Sequence, residues 1–311
     1  MTNPASFAAA CPLCGEAGFS RLYRFDPAQW IPGQVVRCGA CGAVYKKPSA
    51  AARPLWDYYR DVRYRDLHYW SFELGALRAL RQIRDEMVAV VGPSGARSLL
   101  EVGCGTGQFL QLAQERGFNV TGVELNEGLA EQARQHTGDS PIVCGDFLTQ
   151  DFGRRFDVIV MLDLIEHLPD PLAALRRSHE LLQPGGFLVV YTPNHAGITT
   201  RVADLAYRIS GGAIAGPVNE IFDCLHVVFF DVDSLRSALE RSGFRMVKLC
   251  QSPYDPARND QATGASAVAV RVLEALGSVC FGQFRMLMFG QKPSAEAGLT
   301  ETGRAAGPDA A

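Results

Sequence analysis

The segment Leu99-Leu100-Glu101-Val102-Gly103-Cys104-Gly105-Thr106-Gly107 constrains this fold more than any other. A short apolar run passes straight into three glycines at alternate positions. Helical spacing follows, with Phe109, Leu110 and Ala113 on one face and Gly117 as a stop. A strand joined to a helix in this way must turn sharply, and glycine lets the backbone turn and lets a ligand approach without a Cβ in the way. A dinucleotide fingerprint needs G-x-G-x-x-G. Here Gly103 and Gly105 match but Gln108 fills the last position, and the glycines run G-x-G-x-G instead. That spacing disfavours a nicotinamide dehydrogenase. A tight strand–helix turn with no ligand is the plainer alternative.

The same alternation of strand and helix continues on both sides of the loop. Strands are expected at Ser98–Val102, Asn119–Glu124, Pro141–Cys144, Phe156–Met161 and Phe187–Tyr191. Helices are expected at Gly107–Arg116, after an Asn126 cap, and after Asp170-Pro171, where an N-cap is followed by an N1 proline. This order predicts an α/β fold: a Rossmann-like, doubly wound, mostly parallel seven-stranded sheet. A helical insertion is expected at 195–226 with a break at Gly211-Gly212, then a helix at Asp233–Arg241, a strand at Phe244–Leu249, a helix over 265–280 and a strand at Phe284–Phe289.

At 311 residues the chain has room for about two domains at roughly 150 residues each. Its formal net charge of −3 argues against a surface that grips nucleic acid throughout. The opening residues MTNPASFAAA lack the pattern of a targeting segment, and no apolar run approaches the ~20 residues of a membrane span. The expected setting is the cytoplasm, where thiols stay reduced. The sequence carries no signal for an oligomeric state.

Nine cysteines are present, and four of them fall at positions 11, 14, 38 and 41. Cys11-Pro12-Leu13-Cys14 and Cys38-Gly39-Ala40-Cys41 form two C-x2-C knuckles that together offer four sulfurs to one metal. Tetrahedral S4 ligation selects a structural zinc, with an iron centre or redox dithiol as alternatives. The division expected is a zinc ribbon over 1–48, a helical linker or lid over 49–92, a catalytic domain over 93–292 and a disordered tail over 293–311.

Residues 97–194 resemble class I S-adenosylmethionine-dependent methyltransferases. Glu101-Val102-Gly103-Cys104-Gly105-Thr106-Gly107 is similar to that family's first motif. Cys144-Gly145-Asp146-Phe147, the run from Phe156 through Asp163-Leu164-Ile165-Glu166-His167-Leu168-Pro169, and Leu181-Leu182-Gln183-Pro184-Gly185-Gly186 match later ones. The resemblance implies S-adenosylmethionine as cofactor, with Glu101, Gly103, Cys104, Gly105, Gly107, Glu124, Leu125, Asp146, Phe147 and Asp163 around it. Glu124 would bind the ribose and Asp146 the adenine amino group. Cys104 also reads as a small packing residue, and Glu124 and Asp146 as ordinary strand-end carboxylates. The ribbon ending in Cys41-Gly42-Ala43-Val44-Tyr45-Lys46-Lys47-Pro48 resembles those of bacterial metabolite and sugar methyltransferases.

The resemblance implies transfer of the methyl group by in-line displacement to a small acceptor: a sugar, a phenol or quinone-like ring, or another metabolite. A hydroxyl acceptor also needs its proton removed, and a histidine titrating near neutrality suits that task. His167 is the first candidate and His195 the second. His167 could equally cap or pack the cofactor pocket. His226 is expected to anchor the insertion, and His68, His136 and His179 to sit on solvated helices. The insertion and the helix near 74–91 are expected to wall the acceptor pocket. An RNA or protein methyltransferase that recruits its substrate through the ribbon is the alternative. It is lowered by the absence of an Asn/Asp-Pro-Pro-aromatic motif after the fourth strand, where the chain reads Asp163-Leu164-Ile165-Glu166. A noncatalytic zinc-binding module is a third reading, opposed by the intact glycine loop.

Overall fold

The computed structural model describes residues 10–24, 31–49, 73–92, 95, 97–222, 225–252, 272, 275 and 283–294. The helix expected over 265–280, the aromatic-rich stretch that includes His68, Cys224, Cys280 and residues 295–311 lie outside this set.

The larger of two sheets has seven strands in the order β10-β11-β8-β7-β4-β5-β6. Its members are β4 (Ser98–Val102), β5 (Asn119–Glu124), β6 (Ile142–Cys144), β7 (Phe156–Leu162), β8 (Leu182–Pro193), β10 (Arg245–Ser252) and β11 (Arg285–Gln291). Strands β4 to β8 pair in parallel, and β11 runs antiparallel to both β8 and β10. The chain winds outward from β4 to β6, then returns to β7 on the other side of β4. That reversal leaves a crevice at the carboxyl ends of β4 and β7, where open α/β sheets bind ligands.

Local chemistry accounts for most elements. Strand β7 is apolar apart from Asp157, whose carboxylate accepts from the Ser98 amide and hydroxyl at 2.8 Å each and so pins β7 against β4. Asn126 caps α3 (Glu127–Thr137) by accepting from the Leu129 amide, and Asp170 caps α4 (Pro171–Leu181) through the Ala173 amide. Helix α2 (Gln108–Gln114) starts one residue later than predicted, because Gly107 has φ 81° and stands outside it as the cap. Strand β8 is longer than predicted: the Gln183-Pro184-Gly185-Gly186 stretch joins it, held where the Gly185 amide donates to the Lys292 carbonyl.

Helix α1 (Glu73–Val91) buries Ile83, Met87 and Val91 in the same apolar cluster as Phe109 and Leu110 of α2 and Val158, Val160 and Val189 of the sheet. The insertion is two helices, α5 (Ile198–Ile209) and α6 (Gly216–Phe222), split where the sequence predicted. Helix α7 (Val232–Arg241) opens with a capping box between Asp231 and Ser234. Among the described residues, no helix is long and apolar enough to cross a membrane.

The smaller sheet is antiparallel, with order β1-β2-β3-β9. Strands β1 (Phe19–Arg21), β2 (Gly33–Cys38) and β3 (Val44–Pro48) come from the cysteine-rich segment, whereas β9 (Val228–Phe229) lies far along the chain. Val44 pairs with Phe229 and Tyr45 with Val228. One buried apolar cluster holds Leu13, Val36 and Tyr45 together with Ile165, Val227, Phe230 and Leu239, and the Arg241 guanidinium donates to the Leu13 carbonyl at 2.6 Å. The cysteine-rich segment is thus built onto the larger unit, a contact that spacing along the chain gave no means to foresee.

Candidate active site

The glycine loop follows β4, and its three glycines do different work. Gly103, Gly105 and Gly107 all have positive φ, at 69°, 53° and 81°. A Cβ at Gly107 would lie 3.1 Å from Ala133 of α3, so this glycine serves close helix packing. A Cβ at Gly103 would lie 3.0 Å from Leu164, which sets the loop directly against the turn after β7. Cys104 is buried, with its sulfur near Gly122 in the core, as expected of a packing residue.

Two carboxylates flank the loop. Glu124, at the end of β5, accepts from the Gly105 and Asn126 amides at 2.9 Å each, tying strand, loop and helix cap together. Burial raises its carboxyl above the ordinary range, against the pull of the Asn126, Gly105 and Leu125 amides. Glu101 is 4% exposed, and its Oε2 has no hydrogen-bond partner. Burial, and then the neighbouring Glu124, hold its carboxyl well above the usual value. Asp146 accepts from the Leu148 amide at 3.0 Å, and Phe147 is buried with its ring 6.4 Å from Phe152. These groups fit a polar, cationic cofactor. Glu101 presents an orphaned acceptor, and a carboxylate such as Glu124, with room for about four hydrogen bonds, can take hydroxyls besides its two amides.

A second constellation lies beyond Leu164. Asp163 ends β7 with φ 48°, an uncommon conformation for a residue with a Cβ, and forms an ion pair with Arg285 of β11. The 3-10 turn Ile165–His167 follows. Glu166 is 1% exposed, and neither carboxylate oxygen has a hydrogen-bond partner. Burial, with Asp163 adding to it, pushes its carboxyl up to about 8. His167 Nδ1 lies 3.1 Å from the Leu225 carbonyl. The His226 ring stands edge-on at 4.7 Å from that of His167, and its Nδ1 is buried without a partner. His195 packs against Phe222, Phe229 and His226, with both ring nitrogens buried and unpartnered. Burial, then Arg285, lowers its pKa to about 3. Burial and the other two histidines hold His226 neutral as well.

The segment carrying His226 also bridges to the cysteine-rich sheet. The Val227 amide donates to the Glu166 carbonyl, and the Val227 carbonyl accepts from the Lys46 amide, each at 2.8 Å. At the far end of that sheet, the sulfurs of Cys11, Cys14, Cys38 and Cys41 lie within 4.8 Å of one another. Burial acts to raise the Cys38 thiol, yet the Cys41 and Ala40 amides outweigh it and bring it down to about 7. Four converging sulfurs with amides aimed at them fit one tetrahedral thiolate-bound ion.

Sequence reasoning found His167 and His195 but assigned His226 to anchoring, and the structure sets it beside His167. His136 is exposed, as expected, yet its Nδ1 lies 2.7 Å from the Thr106 carbonyl and steadies the glycine loop. Arg285, unnoticed in the sequence, was detectable as the one charge in an otherwise apolar final strand. Gly122 was equally detectable as a glycine inside a strand, the mark of close approach, and a Cβ there would meet the Cys104 sulfur at 2.7 Å. Helix α1 contributes its described buried residues to the far apolar cluster, and none of them to the surroundings of the histidines.

A glycine loop at the switch point of a seven-stranded sheet with one antiparallel strand defines a nucleoside-cofactor fold. The profile of the methyltransferase domain family matches residues 67–249, and the chain belongs to that family, whose cofactor is S-adenosylmethionine. Among curated relatives, the ubiquinone biosynthesis O-methyltransferases of Pseudomonas aeruginosa and Pseudomonas putida are each 30% identical over 154 residues, covering 48% of this chain and 61% of the relative. The match spans about three fifths of those relatives' length. A Thermotoga maritima S-adenosylmethionine-dependent methyltransferase, described as a possible histamine N-methyltransferase, shares the fold with a TM-score of 0.52 at 18% identity, covering 76% of this chain and 99% of its own. An Archaeoglobus fulgidus S-adenosylmethionine-dependent methyltransferase does so with 0.50 at 20% identity, covering 72% and 100%.

Proposed function

We propose that this protein transfers a methyl group from S-adenosylmethionine to a hydroxyl of a small-molecule acceptor, with a phenolic ring as the favoured class. The observation that carries this reading is the contact between Gly103 and Leu164, which sets the cofactor loop against the turn bearing Glu166 and His167. The cofactor brings an already activated methyl group on a sulfonium. The protein's task is then to orient the acceptor oxygen, exclude water and handle one proton. Glu101, Gly103, Gly105, Glu124, Leu125, Asp146 and Phe147 hold the donor. Asp163, fixed by Arg285, shapes the boundary between the two halves. The Glu166–His167–His226 cluster activates the hydroxyl, with His167 at its centre. The O-methyltransferase names of the Pseudomonas relatives favour oxygen as the accepting atom.

Cys11, Cys14, Cys38 and Cys41 hold a structural zinc in this reading, and the ribbon supports the acceptor side. Recruitment of RNA through the ribbon is not favoured, because its basic groups serve its own structure. Arg21 donates to the Tyr23 and Arg24 carbonyls, Arg37 to that of Gly42, Lys46 is 1% exposed, and Lys47 sits 3.9 Å over the Phe19 ring. The test is incubation with methyl-labelled S-adenosylmethionine and a panel of catechols, simple phenols and sugars, with products identified by mass spectrometry. Label on a phenolic oxygen is expected. Label only on nitrogen or carbon would overturn the reading.

A further inference from the structure

We infer that Glu166, His167 and His226 form a binding site for a first-row divalent cation that would also coordinate the acceptor hydroxyl. The inference rests on the O-methyl transfer proposed above. One donor atom from each of the three residues lies within 4.8 Å of the others, a span that modest side-chain rotation closes onto bonds of about 2.0–2.2 Å.

Three independent features point to a ligand there. Glu166 has two buried carboxylate oxygens with no partner, whereas buried carboxylates are ordinarily hydrogen-bonded, paired or bound to metal. His226 likewise has a buried, unpartnered Nδ1. His167 has its Nδ1 at 3.1 Å from the Leu225 carbonyl, the support that metal-ligating histidines receive, and this leaves Nε2 as the lone-pair donor. Arg285 occupies Asp163, so the local charge is not cancelled by a second free carboxylate. Two imidazoles and one carboxylate suit zinc, manganese or iron better than magnesium or calcium, which favour all-oxygen shells.

The set leaves coordination positions open, so an acceptor hydroxyl could join it. Such a hydroxyl ionises more readily and releases its proton to solvent. Its oxygen pair then forms the bond to the methyl carbon, the carbon–sulfur bond breaks, and that pair returns to sulfur. The positive sulfonium and the negative oxygen leave two neutral products.

The experiment is metal titration of the full chain. Chelator-stripped protein is loaded with Co2+ and followed by absorption and elemental analysis. Two ions per chain are expected: one with the intense thiolate charge-transfer bands of the four cysteines, one with only weak visible bands. Glu166→Gln and His226→Asn should each weaken the second ion by ~100-fold or more while leaving the thiolate bands intact, which also shows that the variants are folded. A single ion in the wild type, or a second ion unaffected by both substitutions, would overturn the inference. A phenol methylated at equal rate with only the cysteine site loaded would also overturn it, and would leave the O-methyl reading standing. Two ions with no phenol methylated would instead count against that reading and leave the cation site in place.

Discussion

The two halves of the crevice are built on opposite principles. On the cofactor side, functional groups lie close in sequence and are satisfied by neighbouring backbone: Glu124 takes the Gly105 and Asn126 amides, and the loop glycines adopt backbone angles that other residues resist. On the acceptor side, the groups come from distant segments and are left unsatisfied. Glu166, His195 and His226 all keep buried polar atoms without partners, and Arg285 reaches across from the last strand to Asp163. A satisfied site is a rigid cradle that binds one ligand in many enzymes. An unsatisfied one is costly to the fold and is expected where chemistry or specificity is carried out.

Breaking each half should therefore give different signatures. The largest effect is expected from His167→Ala, which should lower turnover by roughly 10²–10⁴-fold while S-adenosylmethionine affinity, measured by calorimetry, stays within about twofold. Normal turnover would remove His167 from the mechanism. Glu124→Ala and Gly105→Val should produce the converse, a loss of cofactor affinity of ~100-fold or more, since the first removes the tie between β5 and the loop and the second places a β-branched residue at φ 53°. Unchanged affinity in both would sink the cofactor assignment.

Next in size is the ribbon. Cys38→Ser should lower the melting temperature by at least ~5 °C. Because β3 carries β9 and, through Val227, the Glu166 turn, turnover should fall further than cofactor affinity. Equal losses in both would mean that the ribbon stabilises the chain without positioning the site. A smaller effect is expected from pH. Glu101 and Glu124 hold protons at higher pH than ordinary carboxyls, and a cationic ligand prefers both ionised. Cofactor affinity should rise as pH climbs above the usual carboxylate range, and a flat profile in Glu101→Gln would locate the effect. The smallest is Asn126→Ala, which removes the cap of α3 and should cost about 1 kcal/mol, read by chemical denaturation.

Legibility in the sequence follows the same division. The glycine loop, the Asn126 and Asp170 caps, the strand order and the Gly211-Gly212 break could be read from local spacing, because each rests on backbone angles or hydrogen bonds between near neighbours. Helix α2 and strand β8 differed from expectation only at their ends. The pairing of Tyr45 with Val228 was not readable, since a two-residue strand has too short a pattern to detect and its partner lies in another part of the chain. The role of His226 was hidden for the same reason: nothing beside it in sequence shows that its neighbour in space is His167.

The sequence by itself determined the class of cofactor fold, the four-cysteine cluster and the candidacy of His167, because glycine conformation, strand and helix periods and C-x2-C spacing are properties of short segments. Tertiary structure alone decided which polar groups would be left buried without partners, that Arg285 would hold Asp163, and that the ribbon would support the turn beside the cofactor loop. Those outcomes depend on which distant strands become neighbours, and burial and hydrogen-bond satisfaction are settled only when the whole sheet has formed.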